Sequence, residues 1–179
     1  KIVLFFGRLT EQKGPVQFLH AAKKVLEKER DVEFLIAGKG ELLPLLINLS
    51  ISLGISQSVK FLGYLSDEDH KRIYKLADVY VMPSTSEPFG ITALEALSSG
   101  TPIIISKTSG VSEIIKTAIK VDFWDINAMA EKIIALLKYK TLREVMRKIS
   151  YTEVRTHTWE KTAQETLQVY NELLSKGGN

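Results

Sequence analysis

The sequence predicts an α/β fold, a doubly wound parallel sheet of six strands with helices on both faces. Three observations carry this. Six apolar runs of strand length alternate with longer segments of helical periodicity, and that alternation builds parallel sheets. The apolar runs are nearly continuous, as strands read when both faces of a sheet are covered. The segments that leave strands collect glycines and cations, while those that enter strands, such as Glu29-Arg30-Asp31 and Ser56-Gln57-Ser58, hold ordinary turn residues.

The strands are expected at Ile2–Phe6, Val32–Ala37, Val59–Leu62, Val79–Met82, Pro102–Ile105 and Ile119–Val121. Gly14-Pro15 opens the first helix, with Val16, Leu19, Ala22 and Leu26 on one face. Proline suits a first helical position because the N–H it lacks has no partner there. The second helix covers Leu42–Leu53. Ser66 caps the third, which runs through Ala77, with Asp69 in the capping-box position. The fourth runs from Phe89 to Ser99 and is stopped by Gly100 and Pro102. A short helix follows Gly110. Asn127–Lys138, Leu142–Ile149 and Trp159–Leu174 complete the set, and Lys176–Asn179 reads as a loose tail.

The 179 residues, 45% hydrophobic and 25% charged, match one soluble globular domain. With no cysteine, disulfides and thiolate zinc sites are excluded. The 24 basic residues are dispersed among 21 acidic ones, which reads as a solvated surface and not as a nucleic-acid footprint. No apolar run reaches the length of a membrane span and no secretory signal is visible. Membrane contact is therefore not indicated, and a cytoplasmic location is expected. The chain starts at Lys1, directly before a strand, so it is expected to be a piece of a longer protein.

In an open parallel sheet, ligands bind beyond the carboxyl ends of the strands. The loops there read Gly7-Arg8-Leu9-Thr10 through Lys13-Gly14, then Gly38-Lys39-Gly40, Gly63-Tyr64-Leu65-Ser66, Pro83 through Gly90, and Ser106 through Gly110. Several run straight into helix N-termini, whose free N–H groups favour anions. Neither G-x-G-x-x-G nor the P-loop pattern is present, so the usual dinucleotide and P-loop NTPase readings fall away. Arg8 and Lys13 instead place two cations in one loop: Arg can grip a diphosphate with two parallel hydrogen bonds and Lys adds a point charge.

Glu87-Pro88-Phe89-Gly90-Ile91-Thr92-Ala93-Leu94-Glu95 is the most informative stretch. With the helix starting near Phe89 or Gly90, Glu87 lies in the loop and Glu95 one to two turns inside the helix. Their separation along the axis is roughly 9–12 Å at 1.5 Å per residue. That exceeds the usual spacing of paired glycosidase carboxyls and suits two contacts on one extended ligand. Each carboxylate can accept two hydrogen bonds from a vicinal diol. The amides of Phe89 to Thr92 face a phosphate or sugar hydroxyls between them. Glu95 is flanked by Ala93, Leu94, Ala96 and Leu97 and is expected on a mostly buried face, where a lone carboxylate is costly unless bound.

Gly7-Arg8-Leu9 with Lys13-Gly14, and the E-x7-E pair Glu87 and Glu95 inside Ser86–Ala96, resemble the C-terminal domain of family 4, or group 1, retaining glycosyltransferases, related to glycogen synthases. The resemblance covers nearly the whole chain. It implies a Rossmann-like domain, the C-terminal half of a GT-B fold, that binds a nucleotide-diphosphate sugar. By the resemblance, Arg8 and Lys13 hold the diphosphate and stabilise the leaving group, so no metal or other cofactor is expected. Glu95 takes the ribose hydroxyls. Glu87, with the amides of Phe89, Gly90 and Ile91, takes the donor sugar, and Thr92 lies near the phosphates. Gly7 lies in the same donor loop as Arg8, and Gly38, Lys39, Tyr64 and Leu65 frame the base. The acceptor belongs to an N-terminal domain of the same parent chain, so this piece alone should bind donor and turn over poorly. Where the family often has Gly-Gly-x-Pro-Glu, this chain has Ser109-Gly110-Val111-Ser112-Glu113, and the stretch that follows is shortened to Lys116–Ile119.

His20 and His70 are expected on helix surfaces and His157 just before the last helix, none with metal-ligand spacing or a catalytic role. Trp159 is expected to anchor the last helix in the core, although in the family this helix can pack across to the other domain. The alternatives are a non-catalytic nucleotide-sugar-binding module and a different GT-B enzyme, such as a sugar-nucleotide epimerase.

Overall fold

The computed structural model describes residues 1–176, and in it the six apolar runs form a single parallel sheet. The strands are β1 (Ile2–Phe6), β2 (Glu33–Ala37), β3 (Val59–Gly63), β4 (Val79–Met82), β5 (Ile103–Ser106) and β6 (Ile119–Val121), and their order across the sheet is β3-β2-β1-β4-β5-β6. The chain winds outward from β1 to β3, then returns to lay β4 against the free side of β1, with Val3 opposite Val79 and Leu4 opposite Tyr80. The direction of winding reverses between β1 and β4, and a crevice at such a reversal opens beyond the carboxyl ends of those two strands.

The helices are α1 (Pro15–Leu26), α2 (Leu43–Ser52), α3 (Asp67–Leu76), α4 (Ile91–Ser98), α5 (Val111–Ile114), α6 (Ile126–Lys138), α7 (Lys140–Val154) and α8 (Trp159–Lys176). Because successive strand side chains point to opposite faces, β1 feeds two cores. Val3 and Phe5 pack with Phe18 and Leu19 of α1 and Met129 and Ile133 of α6. Leu4 packs with Tyr74 of α3, Tyr80 of β4 and Leu97 of α4. The edge-to-face pair Phe18–Phe34, with centroids 5.7 Å apart, adds about 0.5–1.5 kcal/mol beyond the area it buries.

Three expectations are corrected. α4 starts at Ile91 and not at Phe89, because the Glu87 and Phe89 carbonyls accept from Gly110 and Val111 after β5 and Gly90 takes φ 107°, outside the helical range. α7 spans Lys140–Val154, longer at both ends than Leu142–Ile149. Its last turn is held by tertiary contacts that local propensity does not show: Ser150 and Val154 are buried, and Glu153 accepts the Lys116 and Thr117 amides. Trp159 is no core anchor: it is 77% exposed, and residues 159–175 of α8 are all exposed. Leu167, Tyr170 and Leu173 form an apolar stripe on α8 that no described element covers. Residues 177–179 of the expected tail lie outside the described part. Among the described residues no helix is long and apolar enough to cross a membrane.

Candidate functional site at the β1–β4 crevice

The loop after β1 is fixed by Leu9. Its side chain is buried, its N–H donates to Lys39 O at 2.9 Å, and its carbonyl accepts from Leu42 N at 3.1 Å. Arg8, held next to this anchor, stays exposed, and its side chain has no hydrogen bond or ion pair among the described residues. A single 3-10 turn, Glu11–Lys13, then leads to Gly14 in the left-handed region at φ 72°. A Cβ there would stand 2.1 Å from Pro83 O, so only glycine lets the β1 and β4 loops touch. The Thr85 amide, donating to Gln12 O at 2.9 Å, joins them again. With the loops so fastened, the Lys13 ammonium forms a short hydrogen-bonded ion pair with the Glu87 carboxylate; their side chains are 21% and 11% exposed.

Glu87 is also held from β5. Gly110 N–H donates to Glu87 O at 2.9 Å, Val111 N–H donates to Phe89 O at 2.6 Å, and Glu87 and Ser109 form an isolated parallel bridge. These bonds fix the bend at residues 88–89 and its entry into α4. The amides of Phe89, Gly90, Ile91 and Thr92 have no acceptor among the described residues, as befits the first turn of a helix. Thr92 turns its hydroxyl inward: it accepts from Tyr80 OH at 2.9 Å, so its amide is what it offers to the edge.

Glu95 corrects another expectation. The buried stripe of α4 is Ala93, Ala96 and Leu97, and at about 100° per residue Glu95 falls on nearly the opposite side of the helix. Its side chain is 38% exposed and not sunk in an apolar face. It is nevertheless engaged, since Tyr74 OH donates to Oε2 at 3.1 Å. Burial raises the Tyr74 phenol far above its ordinary pKa, with the Tyr80 and Glu95 charges adding to the rise, so Tyr74 remains a neutral donor. Burial likewise raises Tyr80, against the opposing hydrogen bond to Thr92.

On the β2–β3 side, Lys39 Nζ lies 5.4 Å from the ring centroid of Tyr64, which is 71% exposed. Gly38 N–H donates to Gly63 O at 2.7 Å, tying the two loops together, and Leu65 turns its side chain toward the second core. Gly7 has no neighbour within 4 Å of where a Cβ would stand, so the space above it is open.

The candidates thus gather in three groups on one edge: Gly7, Arg8 and Lys13 with Glu87; Phe89 to Thr92 with Glu95; and Gly38, Lys39, Tyr64 and Leu65. Sequence reasoning missed the residues that hold these groups. His70, expected on a helix surface, is half-buried against Phe6, with Nε2 3.1 Å from Glu95 Oε2. Its i, i+4 relation to Tyr74 was a visible signal, because residues so spaced share a helix face. Ser109 to Val111, read as part of a loop beyond the carboxyl end of a strand and as a departure from a pattern, also support Glu87 and Phe89. Two buried hydroxyls in these loops, Thr10 Oγ1 and Ser84 Oγ, have no partner among the described residues, and no sequence signal marks them.

A pocket of about 800 Å³ runs along α4 between α3 and the start of α8, with His70, Glu95, Phe89 and Ile91 among its lining and Trp159 and Lys161 across from them. Lys13 and Glu87 lie outside it. The ion pair, and not this concavity, sits where β1 and β4 part, at the centre of the candidate residues. No cluster of three or more metal-binding side chains occurs among the described residues.

The six-stranded parallel sheet, reversed between β1 and β4, defines a Rossmann-like α/β domain of the kind found as the C-terminal half of GT-B glycosyltransferases. The chain belongs to the glycosyl transferases group 1 family, whose model matches residues 1–153. It is 37% identical over 175 residues to an uncharacterised glycosyltransferase of Methanocaldococcus jannaschii, covering 95% of this chain and 44% of that protein. The C-terminal domain of the group 1 glycosyl transferase LpcC from Francisella tularensis superposes with a TM-score of 0.78 at 27% identity, over 87% of this chain and 84% of that one. TarM of S. aureus, solved with UDP, superposes with a TM-score of 0.86 at 21% identity, over 96% of this chain and 35% of that one. The chain spans less than half the length of the curated relatives it matches.

Proposed function

We propose that the chain is the donor-binding half of a retaining glycosyltransferase, which transfers a hexosyl group from a nucleotide-diphosphate sugar to a sugar, lipid or glycan acceptor. The observation that carries this reading is the Lys13–Glu87 pair at the β1–β4 crevice, beside the free amides of the α4 N-terminus. A cation, a carboxylate and a row of N–H donors are the groups that an anionic polyol needs.

In this reading Arg8 and Lys13 hold the diphosphate. As the glycosidic bond breaks, negative charge grows on the leaving phosphate, and fixed cations lower the barrier because they need no reorganisation. Departure then requires no metal. Glu87 and the amides of Phe89, Gly90 and Ile91 accept from and donate to the sugar hydroxyls, with the Thr92 amide toward the phosphates. Glu95 takes the ribose diol, and Gly38, Lys39, Tyr64 and Leu65 surround the base. Retention of the anomeric configuration rests on the family pattern around Glu87 and Glu95. The acceptor is assigned to the N-terminal part of the parent chain, and the uncovered stripe of α8 supports contact with that part.

Calorimetric titration of the chain with UDP-, GDP- and ADP-sugars tests donor binding; no heat with any of them sinks the reading. Assay of the full-length parent tests transfer. A product of inverted anomer removes the retaining assignment, and binding without turnover favours a nucleotide-sugar-binding module.

A further inference from the structure

We infer that His70 is a positioning residue for Glu95, setting which carboxylate oxygen meets the nucleotide ribose. The inference rests on the reading that Glu95 takes the ribose diol.

The imidazole is held in place by packing. It stacks on Phe6 with centroids 4.4 Å apart and an interplanar angle of 25°, and its centroid lies 5.4 Å from that of Tyr74. His70 and Tyr74 stand one turn apart on the same face of α3, so both reach the same point on α4. That point is Glu95 Oε2. Tyr74 OH donates to it at 3.1 Å, and His70 Nε2 approaches it at 3.1 Å. The Nε2 approach lacks hydrogen-bond alignment, and this buried nitrogen has no other acceptor among the described residues. It acts on the carboxylate through charge and dipole, favourably when Nε2 carries a proton.

Glu95 Oε1, in contrast, has no hydrogen-bond partner among the described residues. The two oxygens of a free carboxylate are equivalent and exchange by rotation. Here α3 distinguishes them, binding one and leaving the other for a hydroxyl. An apolar side chain at position 70 could cover Phe6 equally well; the ring nitrogen facing Glu95 is what histidine adds. The carboxylate is thereby oriented before the ligand arrives, and less side-chain freedom is lost on binding.

The test is calorimetric titration of the wild type, His70→Leu and His70→Gln with UDP, GDP and ADP, and with the 2′,3′-dideoxy form of each. In the wild type the ribonucleotide should bind more tightly than its dideoxy form. His70→Leu should weaken the ribonucleotide about threefold and leave the dideoxy affinity unchanged, the scale of a partly exposed charge contact. Gln, which restores an N–H donor, should recover part of the loss. Unchanged dideoxy binding also shows that the variant is folded. Equal losses on both nucleotides, or no loss on either, overturn the inference. A wild type that does not distinguish the two nucleotides, or binds none of them, refutes the ribose reading itself and the inference with it.

Discussion

Lys13 and Glu87, 74 residues apart in the chain, meet in an ion pair where β1 and β4 part company. Neither side chain is more than about one-fifth exposed, so each depends on the other for charge compensation. A ligand phosphate at Lys13 must share the ammonium with Glu87, and a sugar hydroxyl can donate to the same carboxylate.

Lys13→Met leaves Glu87 without its counter-charge and should lower stability by about 2 kcal/mol, below the cost of breaking a fully buried pair. Glu87→Gln should cost a similar amount. The double variant should recover much of the loss, since it leaves no lone charge, while nucleotide-sugar binding stays weakened about tenfold or more. Urea unfolding of all four proteins with parallel titrations checks this. Additive stability losses contradict the coupling.

Gly14 and Gly54 share a left-handed backbone, at φ 72° and 69°. A Cβ at Gly54 meets nothing within 4 Å, whereas at Gly14 it runs into Pro83 O. Gly54→Ala should cost about 1–2 kcal/mol from conformation alone. Gly14→Ala should cost clearly more and weaken donor binding, because the loops carrying Lys13 and Glu87 must separate. Equal shifts in thermal midpoint count against the loop contact.

Glu153 has its carboxyl held below the ordinary value of 4.5: partial burial acts to raise it, and hydrogen bonds from the Thr117 hydroxyl and the Lys116 and Thr117 amides outweigh that. A lowered folded-state pKa contributes stability above the ordinary value, and that stability is lost as pH falls through the folded-state value. Glu153→Gln should therefore lower the thermal midpoint at pH 7, by about 1 kcal/mol in stability. The variant should also lose less than the wild type when pH falls below 4.5. Parallel pH profiles of the two proteins contradict the assignment.

Removing residues 159–179 of this chain should leave the sheet folded, since residues 159–175 of α8 are all exposed and bury nothing in either core. A change under about 1 kcal/mol in urea unfolding is expected. Loss of cooperative unfolding in the shortened protein contradicts this.

The strands and the loops that gather the candidate residues at one edge were legible because they depend on local pattern. Ile2–Phe6 and Val79–Met82 are strands by their own residues, and Gly7-Arg8-Leu9 and Glu87–Glu95 stand after strands whatever the sheet order. His70 was misjudged because its i, i+4 relation to Tyr74 says which face it lies on, but not that Phe6 and Glu95 stand opposite that face. Glu95 was judged too buried because its sequence neighbours are apolar, whereas helical rotation carries them to a different side.

By itself, the sequence determined an α/β alternation, the loops that bear the cations and carboxylates, and a close likeness to the group 1 glycosyltransferases. Only the tertiary structure decided that Lys13 meets Glu87, that Tyr74 and His70 converge on Glu95 Oε2, and that Trp159 stays exposed. The physical reason is range. Periodicity and capping act within one or two turns, while strand order brings residues 74 apart into contact. Whether a helix face is buried depends on what the rest of the chain places against it.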